Sequence, residues 1–187
     1  SKGFTLIELM VTVTLVAIAL ALGVPSFTTF QRNAELTSAT NSLVAALNAA
    51  RGEAMKRGMN AMVVPADGAN WSSGWVVFVD KNRSQAYEVG TDVTILASDP
   101  PPAYLSVTGN GSTGDATPYI LYDASGYSKK KNGGFGAATF EIARTDVAGT
   151  GSLTQTRRIK IASTGRIRVC TPKTTTDPEC SKSASQL

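Results

Sequence analysis

No charged residue occurs between Leu9 and Gln31, and this run constrains the fold more than any other feature of the chain. Val, Leu, Ala and Ile surround every side of a helix through Val24, and no strong turn signal precedes Gly23-Val24-Pro25. About 20 apolar residues cross a bilayer as a helix, so the run is long enough to span one even though Thr12, Thr14 and the polar residues from Ser26 to Thr29 dilute it. A secretory signal peptide is the rival reading, with Lys2 as its basic region. Glu8 speaks against it. A carboxylate inside an apolar segment costs about 2.5–3.5 kcal/mol on insertion scales, so it calls for a cationic partner.

The rest of the 187 residues allows one ordinary domain. Histidine is absent, which removes the commonest general base and zinc ligand, and with them Ser-His, Cys-His and His-metal chemistry. No metal-ligand cluster, nucleophile-base pair or phosphate-binding loop can be read, so neither an enzyme nor a cofactor is expected. The net charge of +4 is unevenly placed: residues 1–156 carry 11 Lys and Arg against 12 Asp and Glu, whereas 157–187 carry 7 against 2. Both cysteines, Cys170 and Cys180, fall in that basic stretch. Such a close pair reads as a disulfide-closed loop in an oxidising compartment, contributing about 2.5–3 kcal/mol, with two free thiols as the alternative.

Gly3-Phe4-Thr5-Leu6-Ile7-Glu8-Leu9 resembles the prepilin cleavage and methylation motif of type IV pilins and type II secretion pseudopilins. The resemblance implies that prepilin peptidase cuts between Gly3 and Phe4 and that the amine of Phe4 is methylated. It also implies that residues 1–3 end a leader, and that Glu8 pairs with the terminal amine of a neighbouring subunit during assembly. Pro25 stands where pilins commonly interrupt their long helix, and since proline removes an internal hydrogen bond, a kink is expected there.

Beyond Phe27 the apolar residues return at helical spacing: Leu36, Leu43, Leu47, Ala50 and Ala54 form a stripe, while Glu35, Asn41, Asn48 and Glu53 fall elsewhere. Glu53 and Arg57 stand four apart and Gly58 supplies a stop, which predicts one helix from near Phe4 to near Arg57, roughly 80 Å long. After Gly58 short β-rich runs take over, at 61–64, 75–80, 93–97, 119–122, 137–143, 157–162 and 166–170. Residues 100–102, 109–114 and 129–134 read as surface loops, with Lys129, Lys130 and Lys131 as solvated cations. The string from Trp71 to Asn82 resembles a signature of the FimT and GspH branch of minor pilins, which includes FimU-like members. Both tryptophans are read as structural, with an exposed, base-stacking Trp71 as the alternative.

The register of the last two runs follows from the turn. A two-residue loop at Ser163-Thr164 would mix charged with apolar residues, whereas the three-residue loop Ser163-Thr164-Gly165 pairs Ile161 with Ile167 and Ile159 with Val169. Gly165 then takes the left-handed position. Arg158, Lys160, Arg166 and Arg168 project from the opposite face, and Lys173 extends the row. Same-face residues of a strand repeat at about 6.5–7 Å, close to the phosphate spacing of one nucleic-acid strand. Gly165-Arg166-Ile167-Arg168 further resembles the Gly-Arg-x-Arg motif with which FimT-type pilins bind DNA. Pairing of these cations with acidic residues of the head or of an adjoining pilin is the bland alternative.

The fold expected is α+β, the type IV pilin fold: a long N-terminal α-helix, kinked near Pro25, packed on a C-terminal antiparallel β head. Its parts are a leader remnant at 1–3, a transmembrane and filament-core helix at 4–30, an amphipathic helix half at 31–58, and a β-rich head at 59–187. The resemblance implies a minor pilin of the FimT/FimU (GspH-like) family, anchored by a single pass in the inner membrane and then moved to the pilus, at its tip. Other major and minor pilins, prepilin peptidase and DNA are its expected partners, with no small-molecule substrate. A pilus-priming subunit without a DNA role and a minor pseudopilin of type II secretion are the alternatives.

Overall fold

The computed structural model describes residues 3–149 and 151–184, with the side chains of 22–26 and 151 outside the description. One helix, α1 (Leu6–Arg57), leads the chain. Its start is a capping box: the Glu8 carboxylate accepts from the Thr5 amide at 3.0 Å and the Thr5 hydroxyl at 2.9 Å, and the Glu8 amide donates to that hydroxyl at 3.3 Å. Its end is set by Gly58, left-handed at φ 64, after which the Met59 amide reaches back to the Ala54 carbonyl. Glu53 binds Arg57 at 2.6 Å and Lys56 at 3.1 Å near that end.

The chain divides into two compact units between Glu35 and Leu36. In the first, the helix is exposed over its length through Ala21, with Leu6, Ile7, Leu9 and Val13 all open to solvent. The kink expected at Pro25 falls among residues whose side chains lie outside the described set. Among the described residues no helix is long and apolar enough to cross a membrane. The uncharged run that meets that length in the sequence passes through 22–26.

In the second unit the amphipathic stripe is fully buried: Leu36, Leu43, Ala46, Leu47, Ala50 and Ala54. Among the described residues nine strands follow: β1 (Ala61–Pro65), β2 (Trp75–Val79), β3 (Val93–Ser98), β4 (Leu105–Gly111), β5 (Ile120–Tyr122), β6 (Ser128–Lys129), β7 (Ala138–Arg144), β8 (Thr156–Ile161) and β9 (Ile167–Cys170). They form two antiparallel sheets, in the orders β3-β2-β1-β5-β6 and β4-β7-β8-β9. The helix stripe, Trp75, Val77 and Val79 of the first sheet, and Phe140, Ile142, Ile159 and Ile161 of the second share one core. Burying branched and aromatic side chains of this size stabilises by roughly 1.5–3 kcal/mol each, which is why the helix and both sheets cohere.

Strand β2 is buried on both faces, because Phe78 joins a second cluster with Met62, Tyr119 and Leu121. Trp71 is buried as well, donating from its indole nitrogen to the Thr113 carbonyl at 2.9 Å and meeting Phe140 edge-on at 4.7 Å. It is therefore no exposed stacking ring. Strand β4 occupies part of a segment expected to be a loop. Its Gly109-Asn110-Gly111 end looks turn-like in isolation, yet β4 pairs with β7 along its whole length, and that tertiary pairing overrides local propensity.

Candidate nucleic-acid interface

The hairpin of β8 and β9 has the register its turn chemistry dictates. Ile161 faces Ile167, Ile159 faces Val169, and Lys160 faces Arg168. The loop closes with the Gly165 amide donating to the Ala162 carbonyl at 2.8 Å and the Ala162 amide to the Arg166 carbonyl at 2.9 Å. Gly165 sits at φ 78, and a Cβ there would lie 2.0 Å from the Gly126 carbonyl oxygen. Any side chain is thus excluded twice, by backbone strain and by close approach.

That approach belongs to a knot at the hairpin tip. Arg51 of α1 donates from Nε to the Gly126 carbonyl at 3.0 Å and from Nη2 to the Thr164 carbonyl at 3.2 Å. The Ser128 amide donates to the Ser163 carbonyl at 3.0 Å. One guanidinium therefore ties the helix to the turn after β5 and to the turn after β8, and the hairpin tip is held by three elements. The sequence gives no signal for this role of Arg51, since its partners are backbone carbonyls brought together only by the tertiary fold.

The expected row of five outward cations is not what the chain builds. Arg158 is 2% exposed and Lys160 0% exposed, so neither presents its charge to solvent. The cause is the segment after β9, which folds back across the outer face of β7 and β8. Arg158 binds the Glu141 carboxylate at 2.7 Å from Nε and donates from Nη1 to the Cys180 carbonyl. Lys182 reaches the same carboxylate at 2.9 Å, and the Thr139 hydroxyl donates to the Ser183 carbonyl at 3.3 Å. The Cys170–Cys180 disulfide closes this strap, whose turn is held by Asp177 accepting from the amides of Lys173, Glu179 and Cys180.

Electrostatics follow the covering. Burial pushes the Glu141 carboxyl upward, but hydrogen bonds from Lys182 and Arg158 outweigh it and hold the group below the ordinary carboxylate value. Asp177 is likewise lowered, chiefly by the Lys173 amide. Lys160 is lowered by burial first, then by the like charges of Arg168 and Arg158. Like charges directly opposed across a pair of strands destabilise it, so the Lys160–Arg168 pairing is offset by the strap and core around it.

Three of the five cations do reach solvent: Arg166, Arg168 and Lys173. Arg168 leans on the strap, donating to the Glu179 carbonyl. The Arg166 side chain makes no hydrogen bond or ion pair among the described residues. It sits between Gly165 and β9, which is an edge strand. At the other end of the chain Gly3 and Phe4 are exposed, while Glu8 is engaged by Thr5 within its own helix. No group of side chains among the described residues could hold a metal ion.

Residues 39–165 match the family model described as type II transport protein GspH, and residues 1–24 match the prokaryotic N-terminal methylation motif. Among solved structures, the chain is similar to the type IV minor pilin FimU of Pseudomonas aeruginosa PAO1, at 20% identity and a TM-score of 0.54, covering 75% of this chain and 92% of that one. The minor pseudopilin EpsH from the type 2 secretion system of Vibrio cholerae is also similar, at 14% identity and a TM-score of 0.48, covering 73% and 97%. No curated protein sequence matches the chain.

Proposed function

Because the chain belongs to the GspH family, as a GspH-like minor pilin of the type IV pilus or type II secretion kind, we propose that it assembles into a type IV pilus, at the tip, and that its head binds DNA without sequence preference for uptake. It is a filament subunit and not an enzyme. The methylation motif implies membrane anchoring before assembly, and the uncharged run from Leu9 to Gln31 is the segment for it. Gly3 and Phe4 would be the processing site, and Glu8 would exchange its bonds to Thr5 for the terminal amine of a neighbour.

One observation carries the DNA reading: the Arg166 guanidinium is exposed, without a partner among the described residues, on a hairpin tip locked by Arg51. Arg168 and Lys173 complete a patch of three cations. Three phosphate contacts without base readout give weak, salt-dependent binding, strengthened when several subunits act together. The test is duplex DNA binding by the full chain in detergent micelles across a salt series. Replacing Arg166→Gln and Arg168→Gln together should weaken binding and flatten the slope of log affinity against log salt by about 2. An unchanged slope would refute the assignment.

The covering of Arg158 and Lys160 favours a second reading, a priming subunit or a minor pseudopilin with no DNA role. Under that reading, deletion reduces filament number and the arginine variants leave it, and DNA uptake, unchanged.

A further inference from the structure

Between β6 and β7 the chain turns tightly, with the Lys130 amide donating to the Gly134 carbonyl at 2.8 Å and the Gly133 amide to the Lys130 carbonyl at 2.9 Å. Lys129 and Phe135 are thereby bridged. The turn leaves an aromatic pair outside the core: Phe135 is 60% exposed and Tyr127 41%, with ring centroids 5.7 Å apart. Lysines attend these rings. Lys129 Nζ lies 3.7 Å from the Phe135 centroid, and Lys131 Nζ 4.9 Å from that of Tyr119. Lys130 is exposed and lines, with Phe135, Tyr119 and Asp115, a cleft of about 440 Å³, a size within the range of small-ligand sites.

This patch adjoins the hairpin tip. Tyr127 follows Gly126 and Arg166 follows Gly165, the two glycines whose backbones are in contact, and Ser128 is bonded to Ser163. Aromatic surface and free cation thus flank one seam.

We propose that Phe135, with Tyr127 and the flanking Lys129 and Lys130, is a platform for an unpaired nucleobase, so that a single strand gains a contact here that a duplex, held by the cations alone, does not. The inference rests on the DNA reading above and specifies its substrate. A base offers a π-face to Phe135 whatever its sequence, while its neighbouring phosphates meet Lys130 on one side and Arg166 on the other. The Asp115 carboxylate disfavours a phosphate inside the cleft and offers an acceptor to an exocyclic amine, such as N4 of cytosine. A duplex keeps its bases stacked and cannot use the platform. The rival occupant is a neighbouring subunit. Lysine, however, is depleted from protein interfaces, whereas here three consecutive lysines, 129–131, border the rings, of which Lys129 also lies 3.8 Å from the Asp123 carboxylate.

The test uses the full chain in detergent micelles at low salt, with a fluorescein-labelled oligodeoxycytidine strand and a labelled duplex of equal length. Phe135→Ala should weaken strand binding roughly tenfold and leave the duplex within about twofold. Arg166→Gln should weaken both. Phe135→Trp should retain strand binding and report it by quenching, since Trp71 and Trp75 are buried. If the wild type binds neither probe, the DNA reading falls and the platform with it. If both probes bind and respond to Arg166→Gln, yet Phe135→Ala is neutral and the Phe135→Trp signal is unquenched, the platform alone is overturned. Loss of the Phe135→Ala subunit from sheared filaments, with DNA binding unaltered, would likewise overturn the platform and assign the rings to a subunit contact.

Discussion

Strands β8 and β9 belong to one hairpin and alternate cationic with apolar residues in the same way, but Arg158 and Lys160 are buried whereas Arg166 and Arg168 are exposed. Position in the sheet explains part of the difference: β8 lies between β7 and β9, while β9 is an edge. The strap explains the rest, because it crosses the outer face of β7 and β8 and supplies partners for the charges it covers. A row of basic residues at two-residue spacing therefore does not define a binding surface. Its exposure depends on where the remaining chain goes.

The largest test of this contrast is Glu141→Leu. It removes the carboxylate from a guanidinium that remains buried against the Cys180 carbonyl, and an unpaired buried charge costs about 3–5 kcal/mol. Since the Glu141 side chain is 19% exposed, the loss should fall near 3 kcal/mol, toward the lower end of that range, as read from chemical denaturation of the full chain. Arg166→Gln should stay within about 0.5 kcal/mol of the wild type. Equal effects of the two substitutions would break the contrast.

A slightly smaller effect is expected from Cys170→Ser combined with Cys180→Ser, about 2.5–3 kcal/mol from the freed loop. This variant also sharpens the comparison through chemical access. In the wild type an amine-reactive ester should label Lys130 and spare Lys160, whereas in the double variant Lys160 should become reactive as the strap loosens. Wild-type labelling of Lys160 at the rate of Lys130, followed by mass spectrometry, would contradict its burial.

The parts legible in the sequence are those set by local chemistry. The stripe from Leu36 to Ala54 predicts the buried helix face, and Ser163-Thr164-Gly165 dictates a register that the structure reproduces residue for residue. The close cysteine pair is the disulfide. What escaped the sequence is non-local. Glu141 faces Arg158 only once β7 and β8 are paired, a register that no short turn specifies. Arg51 binds carbonyls far along the chain. The strap carries no periodicity, being held by backbone amides on Asp177 and by the disulfide rather than by an apolar pattern.

The smallest expected effect comes from protons, and it falls in two pH windows, one for the carboxylates and one for the buried lysine. Glu141 and Asp177 have folded-state values below their ordinary 4.5 and 3.8, so each contributes stability that is present above the ordinary value and lost as pH falls through the lowered one. Acid should therefore loosen the strap before the sheets. Lys160, also lowered from its ordinary 10.5, acts in the same sense but in an alkaline window: the unfolded chain holds its proton more tightly, so its burial costs stability while the unfolded lysine is protonated, and stability rises with pH beneath 10.5. Hydrogen exchange across a pH series, corrected for the intrinsic rate, checks the acid limb. On descending below pH 4.5, the amides of Glu179 and Cys180 should lose protection earlier than those of β7 and β8. Simultaneous loss would mean that the strap and the sheet beneath it open as one unit, and that the cover over Arg158 and Lys160 is not a separately removable element.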